Sequence, residues 1–180
     1  MRLDQPRVPP LGDDELSDEQ RELLSRGNTG RMNIFRTLAR HPDLYKSWMP
    51  FGTYLLTKSA LPAREREILI LRAGHLCKAG YEVHQHARIG KRAGLSDEDL
   101  ARIAEGAEAA GLATFERTLV QAADELVRDH FLSDATYGAL RERYDEKQLL
   151  EVIFTVGQYT LVSMALNSLG VQIEDEGGAR

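Results

Sequence analysis

The run from Val152 to Val171 contains no charged residue. Twenty such residues are long enough, as a helix, to cross a bilayer, which needs about 20. Yet this run also carries Thr155, Gln158, Thr160, Ser163, Asn167 and Ser168, and no cluster of Lys or Arg flanks it closely. Such a pattern predicts a helix buried in a protein core or a subunit interface rather than in lipid. A chain of 180 residues can wrap such a helix in a single domain.

The rest of the chain supports an all-α reading. Ser17 followed by Gln20 has the spacing of a capping box, and Gly27 is placed to end that helix. A second helix is expected over Asn33–Arg40, closed by His41 and Pro42 because a residue before proline avoids the α region. A third is expected over 43–58, with Pro50 as a break or kink. Pro62 opens a strongly apolar helix ending near Leu76, Gly80 separates it from a helix over Tyr81–Ala93, and Gly94 ends that one. Ser96 and Ser133 are positioned as N-caps of further helices, Phe115–His130 has helical periodicity, and the last helix runs from about Glu146 to Leu169, with Gly170 as its stop. No segment shows the alternation of a strand.

Composition narrows the functional classes. The net charge of −5 implies no broad basic surface, which excludes nucleic acid and anionic membranes as first partners. A single cysteine, Cys77, precludes an intramolecular disulfide and suits a reducing compartment. The N-terminus lacks the apolar stretch of about 7–15 residues that marks a secretory signal, so a cytoplasmic location is expected.

Titratable side chains crowd into residues 64–94: Glu65, Glu67, His75, Cys77, Tyr81, Glu82, His84 and His86. Glu82 and His86 are four apart and share a helix face, whereas His84 points about 200° away from His86. Three readings are open at this point. A carboxylate beside an imidazole fixes its tautomer and raises its basicity, so Glu82, His86 and Glu67 could form a proton relay. His75, Cys77, Glu82 and His86 have ligand types that suit zinc, but no standard zinc spacing. Glu82 and His86 could also be a solvated pair worth about 0.2–0.5 kcal/mol.

The stretch Leu61-Pro62, Arg66-Glu67-Ile68-Leu69-Ile70-Leu71-Arg72, Tyr81-Glu82-Val83-His84-Gln85-His86 and Ala93-Gly94-Leu95-Ser96 resembles the carboxymuconolactone decarboxylase family, which includes alkyl hydroperoxidase D-like proteins. Asn33-Ile34-Phe35-Arg36, His41-Pro42 and Asn167-Ser168-Leu169-Gly170-Val171 are similar to its longer members, so the resemblance spans about residues 28–172. It implies a single-domain helical bundle of the alkyl hydroperoxidase D-like type over 28–172. Residues 1–27 would then be an N-terminal arm with one helix, and 173–180 a tail. The peroxidase branch carries a C-x-x-C pair, then three residues and a histidine, with a glutamate 19 residues before that histidine. Glu67 and His86 keep that spacing, while the cysteine positions fall on Ala79 and Glu82. A dithiol cycle needs a thiolate and a resolving thiol, so this departure turns a redox centre into an acid–base one.

The resemblance therefore implies a lyase of decarboxylase-like type, with no cofactor or metal, acting on a small cyclic or unsaturated carboxylic acid. Its catalytic groups would be His86 as main acid/base, Glu67 as its orienting partner and Glu82 as a second carboxylate. Tyr81, His84, Asn33 and Arg72 are candidate substrate contacts, although Tyr81 also suits packing, His84 a subunit or solvent face, and Asn33 a helix N-cap. Arg66, Arg72 and Arg88 are the candidate partners of a substrate carboxylate. Gln158 and Asn167, polar on an apolar helix, need partners if buried; for Gln158 an inter-helix bond is expected, with the pocket as the alternative, and Trp48, Phe51 and Tyr54 are expected to form core or pocket wall. The resemblance and the uncharged helix together imply a homotrimer or homohexamer. A thiol peroxidase or disulfide reductase, and a ligand-binding protein without catalysis, are the competing functions.

Overall fold

A computed structural model describes residues 1–27 and 29–174; Asn28 and residues 175–180 of the expected tail lie outside the described residues. Nine α-helices, and no strand, occur among the described residues. They are α1 (Asp18–Leu24), α2 (Asn33–Leu38), α3 (Pro42–Thr57), α4 (Ala63–Leu76), α5 (Gly80–Arg92), α6 (Asp97–Glu105), α7 (Thr114–Arg128), α8 (Asp134–Arg141) and α9 (Glu146–Leu169).

Local chemistry explains most boundaries. Capping boxes start α1 (Ser17 with Gln20), α6 (Ser96 with Asp99) and α9 (Asp145 with Gln148), and Ser133 caps α8. Such caps satisfy amide N–H groups that the first helical turn leaves unpaired, and each is worth about 1 kcal/mol. Two expectations are corrected. Pro50 does not break α3, which runs through it from Pro42 to Thr57. His41 does not close α2; its Nδ1 accepts the Leu44 N–H at 3.3 Å, so it is the N-cap of α3, with Pro42 in the first turn where a missing N–H costs nothing.

Helix α4 is the axis of the fold. It is buried from Glu67 to Gly74 and packs against α5, α6, α7 and α9. Ile68, Leu69, Ile70 and Leu71 join Leu119, Val120, Val152 and Val156 in the main core. Two glycines let α4 and α5 approach closely. A Cβ on Gly90 of α5 would lie 3.4 Å from Leu71 Cδ1 of α4, and one on Gly74 of α4 would lie 3.1 Å from Val83 Cγ2 of α5. The α5 face carrying Glu82 and His86 is thereby drawn against Glu67 of α4.

Helix α9 buries one side, including Val152, Thr155, Val156, Tyr159, Val162 and Leu166, against the core. It is long and apolar enough to cross a membrane, but 56% of its most apolar window is inside the protein. Leu150, Ile153, Phe154, Leu161 and Met164 form an exposed apolar stripe on its other side.

Candidate active site

The imidazole of His86 bridges two carboxylates, one from α4 and one from the preceding turn of its own helix. Its Nδ1 lies 2.7 Å from Glu67 Oε2, and its Nε2 lies 3.1 Å from Glu82 Oε1. All three side chains are buried, Glu67 completely. Tyr159 of α9 sets its ring edge-on to the imidazole, with centroids 4.8 Å apart, a geometry aromatic quadrupoles favour. Burial by itself would lower the His86 pKa. The hydrogen bonds and charges of Glu67 and Glu82 outweigh it and raise the value to about 9. The ring is therefore an imidazolium at neutral pH. Behind it, Arg66 Nε lies 3.5 Å from Glu67 Oε1, an oxygen with no hydrogen bond of its own among the described residues.

Glu82 and His86 open onto a cavity of about 220 Å³ between α2, α3, α5 and α9. Its walls are mainly Met32, Ile34, Phe35, Trp48, Met49, Leu56, Ile89 and Val162. Polar walls come from Tyr81, Gln85, Gln158 and Tyr159, beside Glu82 and His86, and no Lys or Arg among the described residues lines it. A second, smaller cavity of about 110 Å³, almost wholly apolar, lies next to it between α2, α3 and α9, sharing Ile34, Trp48 and Val162. Among the described residues, no three His, Cys, Asp or Glu side chains are placed to hold a metal ion.

The structure thus brings together Glu67, Glu82 and His86 and separates them from several other candidates. Tyr81 reaches the cavity wall, but its hydroxyl donates to Glu174 Oε1 at 2.6 Å; burial first, then this bond, pushes its pKa well up. Asn33 is neither N-cap nor cavity wall. Met32 holds the cap position, and Asn33 ties down the C-terminal segment, its N–H donating to Glu174 Oε1 at 2.7 Å and its amide to Gln172 O at 2.9 Å. His84 is half-buried and off the cavity, as its angle from His86 on the helix requires. Arg72 points the other way: it pairs with Asp124 and donates to the carbonyls of Ile103 and Ala104 at the end of α6, where a cation is favoured by the helix dipole. Arg88 is exposed. Cys77 caps the end of α4 away from the cavity, and burial pushes its thiol pKa up. His75 is likewise off the cavity.

Gln158 departs from its expected inter-helix bond. It is buried, lines the cavity, and its side chain has no hydrogen-bond partner among the described residues. Tyr159, Gln85 and Glu174 belong to the site although sequence reasoning misses them. For Gln158 and Tyr159 the available signal is two adjacent polar groups on an otherwise apolar helix. Glu174 offers none, because its role depends on where the chain end folds back.

Residues 42–125 match the sequence model of the carboxymuconolactone decarboxylase family. At family level, the resemblance read from the α4–α5 region holds. No curated protein matches the chain. Among solved structures, it is similar to an uncharacterised peroxidase-related protein with an alkylhydroperoxidase AhpD core from Ralstonia eutropha JMP134. That match has 21% identity and a TM-score of 0.82, covering 95% of this chain and 93% of that one. A peroxidase-related protein from Silicibacter sp. TM1040 matches with 14% identity and a TM-score of 0.76, covering 99% and 94%. The debrominase Bmp8, as a cysteine-to-alanine variant in complex with 2,3,4-tribromopyrrole, matches with 17% identity and a TM-score of 0.73, covering 93% and 91%. At these identities the structural likeness establishes the shared fold.

Proposed function

We propose that this protein is a thiol-independent acid–base enzyme of the decarboxylase-like kind, moving a proton to or from carbon in a small ring compound. The observation that carries the reading is the His86 ring held between Glu67 and Glu82 at the wall of an apolar cavity that Cys77 does not line. Glu67 fixes the ring through Nδ1, leaving Nε2 and Glu82 as the groups that face the substrate. Glu82 accepts a proton from an acidic C–H, and the imidazolium returns one to the enolate carbon. Help of this kind typically contributes about 10²–10⁴-fold. Decarboxylation, the lyase reaction the family resemblance implies, is one instance. Loss of CO₂ leaves its bonding electron pair on carbon as an enolate, which the same imidazolium protonates.

A catalytic role is favoured over simple ligand binding by the burial of three ionisable groups. The test is solvent-deuterium incorporation and CO₂ release across cyclic ketones, lactones and acids. His86→Ala and Glu82→Gln are expected to lose activity by about 10²-fold or more, and Cys77→Ser to retain it. Full activity in both His86→Ala and Glu82→Gln would end the proposal.

The expected self-association fits the same molecule. Leu150, Ile153, Phe154, Leu161 and Met164 lie along one side of α9 and are exposed in the single chain. Copies of this chain are the proposed occupants of that face, because an uncharged apolar stripe is complementary to itself across a symmetry axis.

A further inference from the structure

We propose, building on the acid–base reading of the site but not on its decarboxylation instance, that the cavity selects an uncharged ring compound carrying one carbonyl or amide group, docked on the side-chain amide of Gln158. In the Glu67–His86–Glu82 cluster and against it, the cations are His86 and Arg66 and the anions are Glu67 and Glu82. They pair among themselves: His86 lies between both carboxylates, and Arg66 lies against the second oxygen of Glu67 without lining the cavity. An entering carboxylate therefore meets no unpaired cation among the described residues; for an ammonium the remaining anion is Glu174, off the cavity wall and already accepting hydrogen bonds from Asn33, Tyr81 and Gln85. Either would lose its hydration among Phe35, Met49, Leu56 and Ile89 without compensation.

Hydrogen bonding narrows the choice. Tyr81 and Gln85 face the cavity, but both donate to the carboxylate of Glu174, at 2.6 and 2.5 Å. Gln158 is only 6% exposed, lines the cavity, and has no side-chain partner among the described residues. Its amide atoms are accessible from the cavity rather than sealed inside the protein, so a carbonyl or amide on the ligand supplies a hydrogen bond that the protein does not. Size agrees: a cavity of about 150 Å³ accepts benzene, so about 220 Å³ accommodates a six-membered ring with one short substituent.

The chain's single tryptophan, Trp48, forms part of the cavity wall and reports on it directly. The intact protein is titrated at neutral pH with cyclohexanecarboxamide, cyclohexanecarboxylate and cyclohexylammonium, three ligands of one shape and different charge, following Trp48 fluorescence. The carboxamide is expected to bind about tenfold or more tighter than either ion. Gln158→Leu is expected to weaken the carboxamide by about tenfold. That loss also assigns the signal to this cavity, since Gln158 does not line the smaller one that Trp48 shares. Gln158→Asn, which draws the same amide back by one carbon, is a second variant with the same expected direction. Equal or tighter binding of either ion, an unchanged carboxamide affinity in both Gln158 variants, or no binding by any of the three overturns the inference. These titrations read no turnover. His86-dependent turnover of acids together with a preference for the carboxylate would remove the substrate inference and leave the acid–base reading standing; a carboxamide preference with no His86-dependent chemistry would do the reverse.

Discussion

Glu67 and His86 stand 19 residues apart in the chain and 2.7 Å apart in space, carboxylate oxygen to Nδ1, inside the protein. The contact exists because α4 and α5 run side by side at glycine spacing, with Gly90 against Leu71 and Gly74 against Val83. It sets the charge of the imidazole and through it the chemistry available to the cavity. Removing the Glu67 charge should therefore lower the His86 pKa from about 9 toward its ordinary 6.5. NMR titration of the His86 ring in Glu67→Gln checks this. An unchanged midpoint would show that Glu67 does not govern the ring.

The same shift makes stability depend on pH. A group whose folded pKa lies above its unfolded one stabilises fully below the unfolded value and loses that contribution as pH rises through the folded value. For His86 the window runs from 6.5 to about 9. The difference corresponds to roughly 3 kcal/mol as an upper estimate. Denaturant unfolding of the wild type and His86→Gln, at about pH 6 and about pH 9.5, should show the wild-type advantage shrinking at the higher pH. An advantage independent of pH would contradict the linkage.

Arg72 should behave as a structural residue. Its guanidinium is buried against Asp124, with Nη2 3.1 Å from Oδ2. Truncation leaves the Asp124 carboxylate with only the 3.7 Å contact of the exposed Arg128, at a cost of up to about 3–5 kcal/mol. Arg72→Ala is expected to lower the melting temperature sharply while the folded fraction keeps its KM. A raised KM with unchanged stability would return Arg72 to the substrate.

The exposed stripe on α9 makes a separate prediction. Placing a charge there, as in Phe154→Glu with Met164→Glu, should convert an oligomer into a monomer without unfolding it, since both side chains are exposed in the single chain. Sedimentation velocity distinguishes the outcomes, and a wild-type protein that sediments as a monomer would refute self-association.

What is legible in the sequence follows from what each signal depends on. Helix starts such as Ser96 and Glu146 are local, and α6 and α9 begin where the sequence places them. The Glu82–His86 pair is also local, one turn of one helix. Glu67 joins them through family spacing rather than local pattern. Arg72 and Asn33 mislead because long-range partners, Asp124 in one case and Gln172 with Glu174 in the other, decide where they point. His41 misleads because Pro42 can close one helix or open the next, and here it opens α3. Gln158 reads as an inter-helix bond or, second, a pocket contact, and it is the packing of α9 against α3 and α5 that puts it on the cavity wall.

The most direct test of the central claim is deuterium incorporation from D₂O into cyclic ketones and lactones, followed by NMR in wild type, His86→Ala, Glu82→Gln and Cys77→Ser. The expected result is exchange in the wild type and Cys77→Ser and its loss in the other two. Exchange that disappears in Cys77→Ser and persists without His86 would contradict a proton-transfer centre built on Glu67, Glu82 and His86.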